Sequence, residues 1–278
     1  MVKIITDTTS CLEPEFASKF DIPVIPQVIN FGNESYYEGI QMDIDAFMQR
    51  LKSSPTLPKT AAPPPELFVE QFERLVPLGE PILCIHPSSE VSGTVRSAIV
   101  AARDFPGADI RVIDTRSVAS PLATMVKLAA GWANAGQDAD TIEKRLKEMI
   151  PNCRIYFLVA TLEYLAKGGR IGGAAGLLGS VLQIKPILAL HDGKVDQYER
   201  ERTQKHARAR LINIALEQYP REKEGYLTVL HAGVPEQGRA LADELGGKLG
   251  IEHVPVYNVP PAIVTHGGPG ILGVAFFV

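Results

Sequence analysis

Apolar residues along this chain come alternately in short runs and in helical stripes, almost from the first residue. Val2-Lys3-Ile4-Ile5-Thr6-Asp7 predicts a buried strand that ends in a polar loop. Thr8, Thr9 and Ser10 then offer cap chemistry for a helix over 12–20. A second strand is predicted over 24–31. Ile44, Phe47, Met48 and Leu51 share one face of a helix predicted over 43–52. Pro55, Pro58, Pro63, Pro64 and Pro65 rule out helix or central strand over 53–65, which leaves an ordered, mostly extended loop. The rhythm continues with helix 66–78, strand 81–86, loop 87–93, helix 94–104, strand 110–114 and helix 120–135. Such alternation predicts an α/β domain with a largely parallel sheet. Ligands of these sheets collect at the carboxyl ends of the strands, which here are segments 7–10, 88–94 and 114–117.

The second half starts with helix 140–149, strand 155–159 and a short helix over 162–167. A glycine-rich run over 168–179 follows. Strands over 185–190 and 194–198 flank Asp192-Gly193, a hairpin signal. Helix 203–218, strand 227–231, helix 236–249, strand 253–259 and an apolar strand from Ile271 to Val278 complete the chain. This pattern places an N-terminal α/β domain over 1–150 and a C-terminal α/β domain over 151–278.

Composition narrows the function classes. The 278 residues carry a formal charge of -4 with 45% hydrophobic and 22% charged positions, an ordinary globular balance. No long basic run concentrates positive charge, which argues against a nucleic-acid binder. Cys11, Cys84 and Cys153 are far apart and match no zinc spacing, so buried free thiols in a reducing compartment are expected. Asp7 interrupts the start before any leader-like apolar region, and Gln183, Lys185 and Pro186 interrupt the most apolar long stretch, over 172–190. A cytoplasmic protein without a transmembrane segment is the expectation.

Three polar clusters stand out. Ser88-Ser89-Glu90-Val91-Ser92-Gly93-Thr94 follows a strand and opens a helix, where free N–H groups and the helix dipole attract an anion; a plain N-cap uses the same residues. Thr60 sits on the proline-rich loop, which either holds its hydroxyl in place or is only a spacer. His266 stands against Gly267-Gly268-Pro269-Gly270, where glycine lets backbone approach a ligand. Lys167-Gly168-Gly169-Arg170 matches neither phosphate-loop fingerprint, so Arg170 either reaches an acidic group or is simply solvated. Arg200, Arg202, Lys205, His206, Arg208 and Arg210 make a basic patch, read as a solvated helix face or a dock for an acidic partner. There is no P-loop, H-E-x-x-H, G-x-S-x-G or kinase signature.

Taken together, these segments resemble the DegV family, which includes the fatty-acid-binding FakB subunits of bacterial fatty acid kinase. The resemblance runs end to end: Ile4-Ile5-Thr6-Asp7-Thr8-Thr9-Ser10, Thr60 to Pro63, Ser88-Ser89-x-x-Ser92-Gly93-Thr94 and Leu165-x-Lys167-Gly168-Gly169-Arg170-Ile171. Ile184-Lys185-Pro186-Ile187-Leu188, Arg202-Thr203-x-Lys205 and His266-x-Gly268-Pro269-Gly270 follow in order. It implies two α/β domains, the first with a largely parallel sheet and the second with a mixed one. A long-chain fatty acid such as palmitate or stearate would lie buried in an apolar tunnel, with 171–190 and 271–278 as candidate walls and no further cofactor. Thr60, Ser92, Gly93, Thr94 and His266 would hold the carboxylate. Arg170 and Arg202 would stand at the opening, where a separate fatty acid kinase catalytic subunit phosphorylates the acid; transient membrane contact is also allowed. No catalytic residue and no metal site are implied in this chain. Two departures remove polar groups near the head group: Ala61-Ala62-Pro63 replaces the usual Ser-Gln-Pro, and Gly267 replaces a Thr. The alternatives are a stand-alone acyl hydrolase or transferase, with Ser92 as nucleophile and His266 as base, and a lipid-responsive interaction module docking through 200–210.

Overall fold

The computed structural model describes residues 1–178 and 184–278. The end of the glycine-rich run, and residues 179–183 of the expected tunnel wall, lie outside them.

In the first half the strands and helices are β1 (Lys3–Asp7), α1 (Pro14–Lys19), β2 (Val24–Ile25), β3 (Val28–Phe31), β4 (Glu34–Tyr37), α2 (Ile44–Ser53), β5 (Lys59–Ala61), α3 (Pro65–Leu75), β6 (Ile82–His86), α4 (Thr94–Ala102), β7 (Ile110–Asp114), α5 (Ser120–Asn134) and α6 (Ala139–Met149). The second half adds β8 (Cys153–Leu158), α7 (Glu163–Lys167), β9 (Lys185–His191), β10 (Lys194–Glu201), α8 (Gln204–Gln218), β11 (Thr228–His231), α9 (Pro235–Leu249), β12 (Val256–Asn258), α10 (Pro261–Gly267) and β13 (Leu272–Phe277). Among the described residues the strands form three sheets. A parallel sheet runs β2-β1-β6-β7, an antiparallel one β4-β3-β5, and a six-stranded mixed one β10-β9-β8-β13-β11-β12. The chain is therefore an α/β protein with a parallel sheet followed by a mixed sheet.

The parallel sheet is covered on both faces, which is why β6 is buried throughout. Ile5, Ile82 and Cys84 pack with Phe68 and Phe72 of α3 and Ala98 of α4. Ile4, Leu83 and Ile85 point the other way, toward Leu122 and Met125 of α5 and Ile142 of α6. The mixed sheet divides its faces in the same period of two. Tyr156, Leu158, Val274 and Phe276 pack with Leu211 of α8 and Leu241 of α9. Ile155, Leu188, Leu230 and Ala275 turn instead toward Ile29 and Phe31 of β3, Phe47 of α2 and Val264 of α10. That second, inward face walls the candidate site.

Four local expectations are revised. The run over 24–31 is two strands in different sheets, because Pro26 cannot donate to a ladder; Gln27 sits at the break. Strand β4 is additional to the expected elements, although Gly32-Asn33, with Gly32 at φ 59°, is a hairpin turn. Thr8 to Ser10 form their own tight 3₁₀ turn, capped by Asp7, and α1 begins with Pro14 and no side-chain cap. The chain before β13 forms helix α10 rather than turn alone, entered through Pro260 and Pro261, with Pro261 in its first turn. By contrast, Asp43 caps α2 through Ala46 N–H at 2.8 Å, and Thr203 caps α8 through His206 N–H at 3.2 Å.

Candidate functional site

Between the inward face of the mixed sheet and the elements around β5, α5 and α10 lies a cavity, open in part to solvent. Its walls are mainly apolar: Ile155 and Phe157 of β8, Leu190 of β9, Val195 of β10 and Leu230 of β11. Val118 and Ala119 ahead of α5, with Ile263 of α10, close the other side. Thr9, Gln27, Thr60, Ser92, Arg170 and His266 supply the side-chain polar groups.

Two hydroxyls of that lining are held from behind. Thr60 lies on the edge strand β5, paired to Ile29 of β3, and its Oγ1 is 2.7 Å from His266 Nε2. Among the described residues the buried His266 Nδ1 has no hydrogen-bond partner. An orphaned buried N–H is rarer in proteins than an orphaned acceptor, which places the ring proton on Nε2. Nε2–H then donates to Thr60, and the Thr60 hydroxyl proton is free for a ligand. Gly168 is needed beside this ring, since a Cβ there would come within 2.4 Å of His266 Nδ1. On the other strand end, Ser92 Oγ is 2.7 Å from Thr94 Oγ1 and accepts from Thr94 N–H at 3.3 Å. Gly93 lines the cavity at the N-cap of α4, so the positive end of that helix faces the same space. Arg170 joins the two groups: its Nε donates to Val91 O at 3.2 Å and its Nη1 to Gly168 O at 2.8 Å.

Burial, and secondarily the Arg170 guanidinium, pushes the His266 imidazole down from 6.5 to about 4. The unfolded chain thus binds the extra proton between pH 6.5 and 4, and the folded protein does not. Stability falls as pH drops through that window, by up to about 3 kcal/mol from this group, and falls no further on its account below 4. His266→Gln is expected to flatten the part of the stability–pH curve between pH 4 and 6.5 in denaturant titrations. An unchanged slope there would contradict a neutral His266.

The structure thus brings Thr60, Ser92, Gly93, Arg170 and His266 to one cavity, with the fully buried Thr94 hydrogen-bonded behind Ser92. Arg202 is elsewhere, exposed at the junction of β10 and α8 and outside the lining. The basic patch is partly spent on structure: Arg208 pairs with Glu244 at 2.9 Å, and Arg210 pairs with Glu199 and Glu217, both at 2.7 Å. The departures from the family pattern have visible consequences. Ala62 and Gly267 leave that stretch of lining without polar side chains, and Ile271 fills the place of a residue 267 side chain, its Cδ1 lying 2.5 Å from where a Cβ would sit. Ala61 is exposed. His266 is hydrogen-bonded to Thr60, and Ser92 to Thr94, so no serine–histidine pair of the kind a hydrolase needs is formed.

Sequence reasoning missed Gln27 and the acidic anchor behind it. Asp7 is fully buried: its Oδ2 meets His86 Nδ1 at 2.7 Å, and its Oδ1 accepts from Thr9 N–H at 3.0 Å, Thr9 Oγ1 at 2.6 Å and Gln27 Nε2 at 3.1 Å. The carboxyl end of β1 was a visible signal for Asp7. Nothing local marks Gln27.

Known proteins share this fold. The family model described as an uncharacterised protein of the DegV family matches residues 1–278. A DegV domain-containing protein of Halalkalibacterium halodurans is 34% identical over 278 residues, covering 100% of this chain and 98% of its own. A fatty-acid-binding DegV family protein from Thermus thermophilus has a solved structure similar at TM-score 0.91 and 30% identity, over 99% of each chain. DegV of Bacillus subtilis, a fatty acid binding protein, is similar at TM-score 0.88 and 31% identity, over 100% of this chain and 99% of its own. The full-length family match and these similarities have one reading: this chain belongs to the DegV family.

Proposed function

We propose that this protein binds one long-chain fatty acid in the cavity and presents its carboxylate to a separate fatty acid kinase. The observation that carries the reading is the polarity of the cavity: apolar walls on the sheet side and, at one end, hydroxyls backed by donors. The acyl chain supplies affinity at about 0.8 kcal/mol per methylene, roughly 12 kcal/mol gross for a sixteen-carbon acid before ordering costs. Thr60 and Ser92 set which end is which, through charge-assisted hydrogen bonds of roughly 1.5–3 kcal/mol each. Gly93, Thr94 and His266 support them. His266 serves as a neutral donor to Thr60 rather than as a cation facing the carboxylate.

Presentation to a kinase is supported by Arg170 at the polar end and by a separate exposed basic patch. Arg170 lies beside it, able to meet an anion that acquires further charge on phosphorylation. Arg200, Arg202, Lys205 and His206 are exposed and suit an acidic partner surface. Transient contact with a membrane fits a lipid cargo, and among the described residues no helix is long and apolar enough to cross one. Palmitate-loaded protein, mixed with ATP and a bacterial fatty acid kinase catalytic subunit, is expected to yield palmitoyl phosphate, and Arg202→Ala is expected to slow that turnover without weakening palmitate binding. Tight palmitate binding with no acyl phosphate formed would contradict presentation and leave binding intact.

A further inference from the structure

We propose that Gln27 is a positioning residue that sets the direction of the hydrogen bonds behind Ser92, so that Ser92 turns its proton to the ligand and the polar end prefers a carboxylate to an alcohol. This rests on the fatty-acid reading and deepens it.

The direction follows from one fixed donor. Thr9 N–H can only donate, and it donates to Asp7 Oδ1, so that oxygen is an acceptor. The same oxygen lies 3.1 Å from the Gln27 side chain, which must therefore turn its NH₂ rather than its carbonyl toward Asp7. That NH₂ group is also 2.8 Å from Thr94 Oγ1 and donates to it. Gln27 is held in place by its backbone N–H, which donates to Thr8 Oγ1 at 3.1 Å, and it is buried at 3% exposure. With a lone pair of Thr94 occupied by Gln27, the Thr94 hydroxyl proton is free to turn to Ser92 Oγ at 2.7 Å. Ser92 Oγ then accepts twice, from Thr94 Oγ1 and from Thr94 N–H. Its own proton is left for the cavity.

Ser92 and Thr60 thus both point protons at the ligand. A carboxylate satisfies both. A fatty alcohol accepts from them only as a neutral group, and hydrogen bonds to a charged acceptor are roughly twice as strong as neutral ones.

The near-isosteric Gln27→Glu reverses the chain. The introduced carboxyl group either accepts from Thr94 as a carboxylate or donates a proton to Asp7 while accepting from Thr94 through the same oxygen. In both cases Thr94 accepts from Ser92, and Ser92 turns a lone pair to the ligand. Gln27→Met, which carries no charge, removes the bias without reversing it.

The test is competition binding of palmitate and hexadecanol to delipidated full-length protein, wild type and both variants. Wild type is expected to prefer palmitate. Gln27→Glu should reduce that preference by about tenfold or more, with hexadecanol bound as tightly as before or more tightly. Gln27→Met should reduce it by less, and it decides the matter alone if the first variant does not fold. Equal weakening of both ligands, or an unchanged preference in the folded variants, overturns the proposal. Wild-type protein that binds neither ligand overturns the fatty-acid reading itself, and this inference with it.

Discussion

Val118→Trp is expected to lower palmitate affinity about 60-fold while leaving the protein folded. Val118 lines the cavity and is only partly buried, so a larger ring grows into ligand space rather than into packed core. If the ring displaces three methylenes of the acyl chain, at about 0.8 kcal/mol each, the loss is about 2.4 kcal/mol. Titration of palmitate into the delipidated variant checks this, with circular dichroism to verify the fold. Unchanged palmitate affinity in the folded variant would mean that the cavity does not hold the chain.

The second large effect is at the polar end. Thr60→Val and Ser92→Ala each remove a hydroxyl expected to donate to the carboxylate, a change of about 10- to 150-fold in affinity at 1.5–3 kcal/mol per charge-assisted bond. Thr60→Val carries an added cost, because it strands His266 Nε2–H in a buried position. The double variant should lose about 100-fold or more, less than the product of the single effects, since both groups act on one carboxylate. Equilibrium binding of palmitate to the three variants measures this. Affinity unchanged in both single variants would move the carboxylate elsewhere.

Much of the fold was legible in the chain because the signals were local. The buried runs of β1 and β6, the stripe of Ile44, Phe47 and Leu51, and the Asp192-Gly193 turn each report a period or a turn chemistry that needs no tertiary knowledge. Thr60, Ser92, Arg170 and His266 were legible as separate polar clusters, and the resemblance to a family joined them. What stayed hidden was long-range. Gln27 reaches Thr94 across 67 positions, and His86 reaches Asp7 across 79, neither with a spacing rule to betray it. Glu38 is a similar case: it accepts from Ala262 N–H at 2.6 Å, 224 positions away, and its burial pushes the carboxyl up to about 7. It anchors the start of the helix that carries His266. Proline and glycine bracket that helix and give it the look of a turn in sequence, although Pro261 fits a first turn.

The most direct measurement is mass spectrometry of an organic extract from natively folded, purified protein. One long-chain fatty acid per chain is expected, retained through purification and displaced by added palmitate. An extract empty of fatty acid that stays empty after incubation of the protein with a mixture of long-chain acids would contradict it.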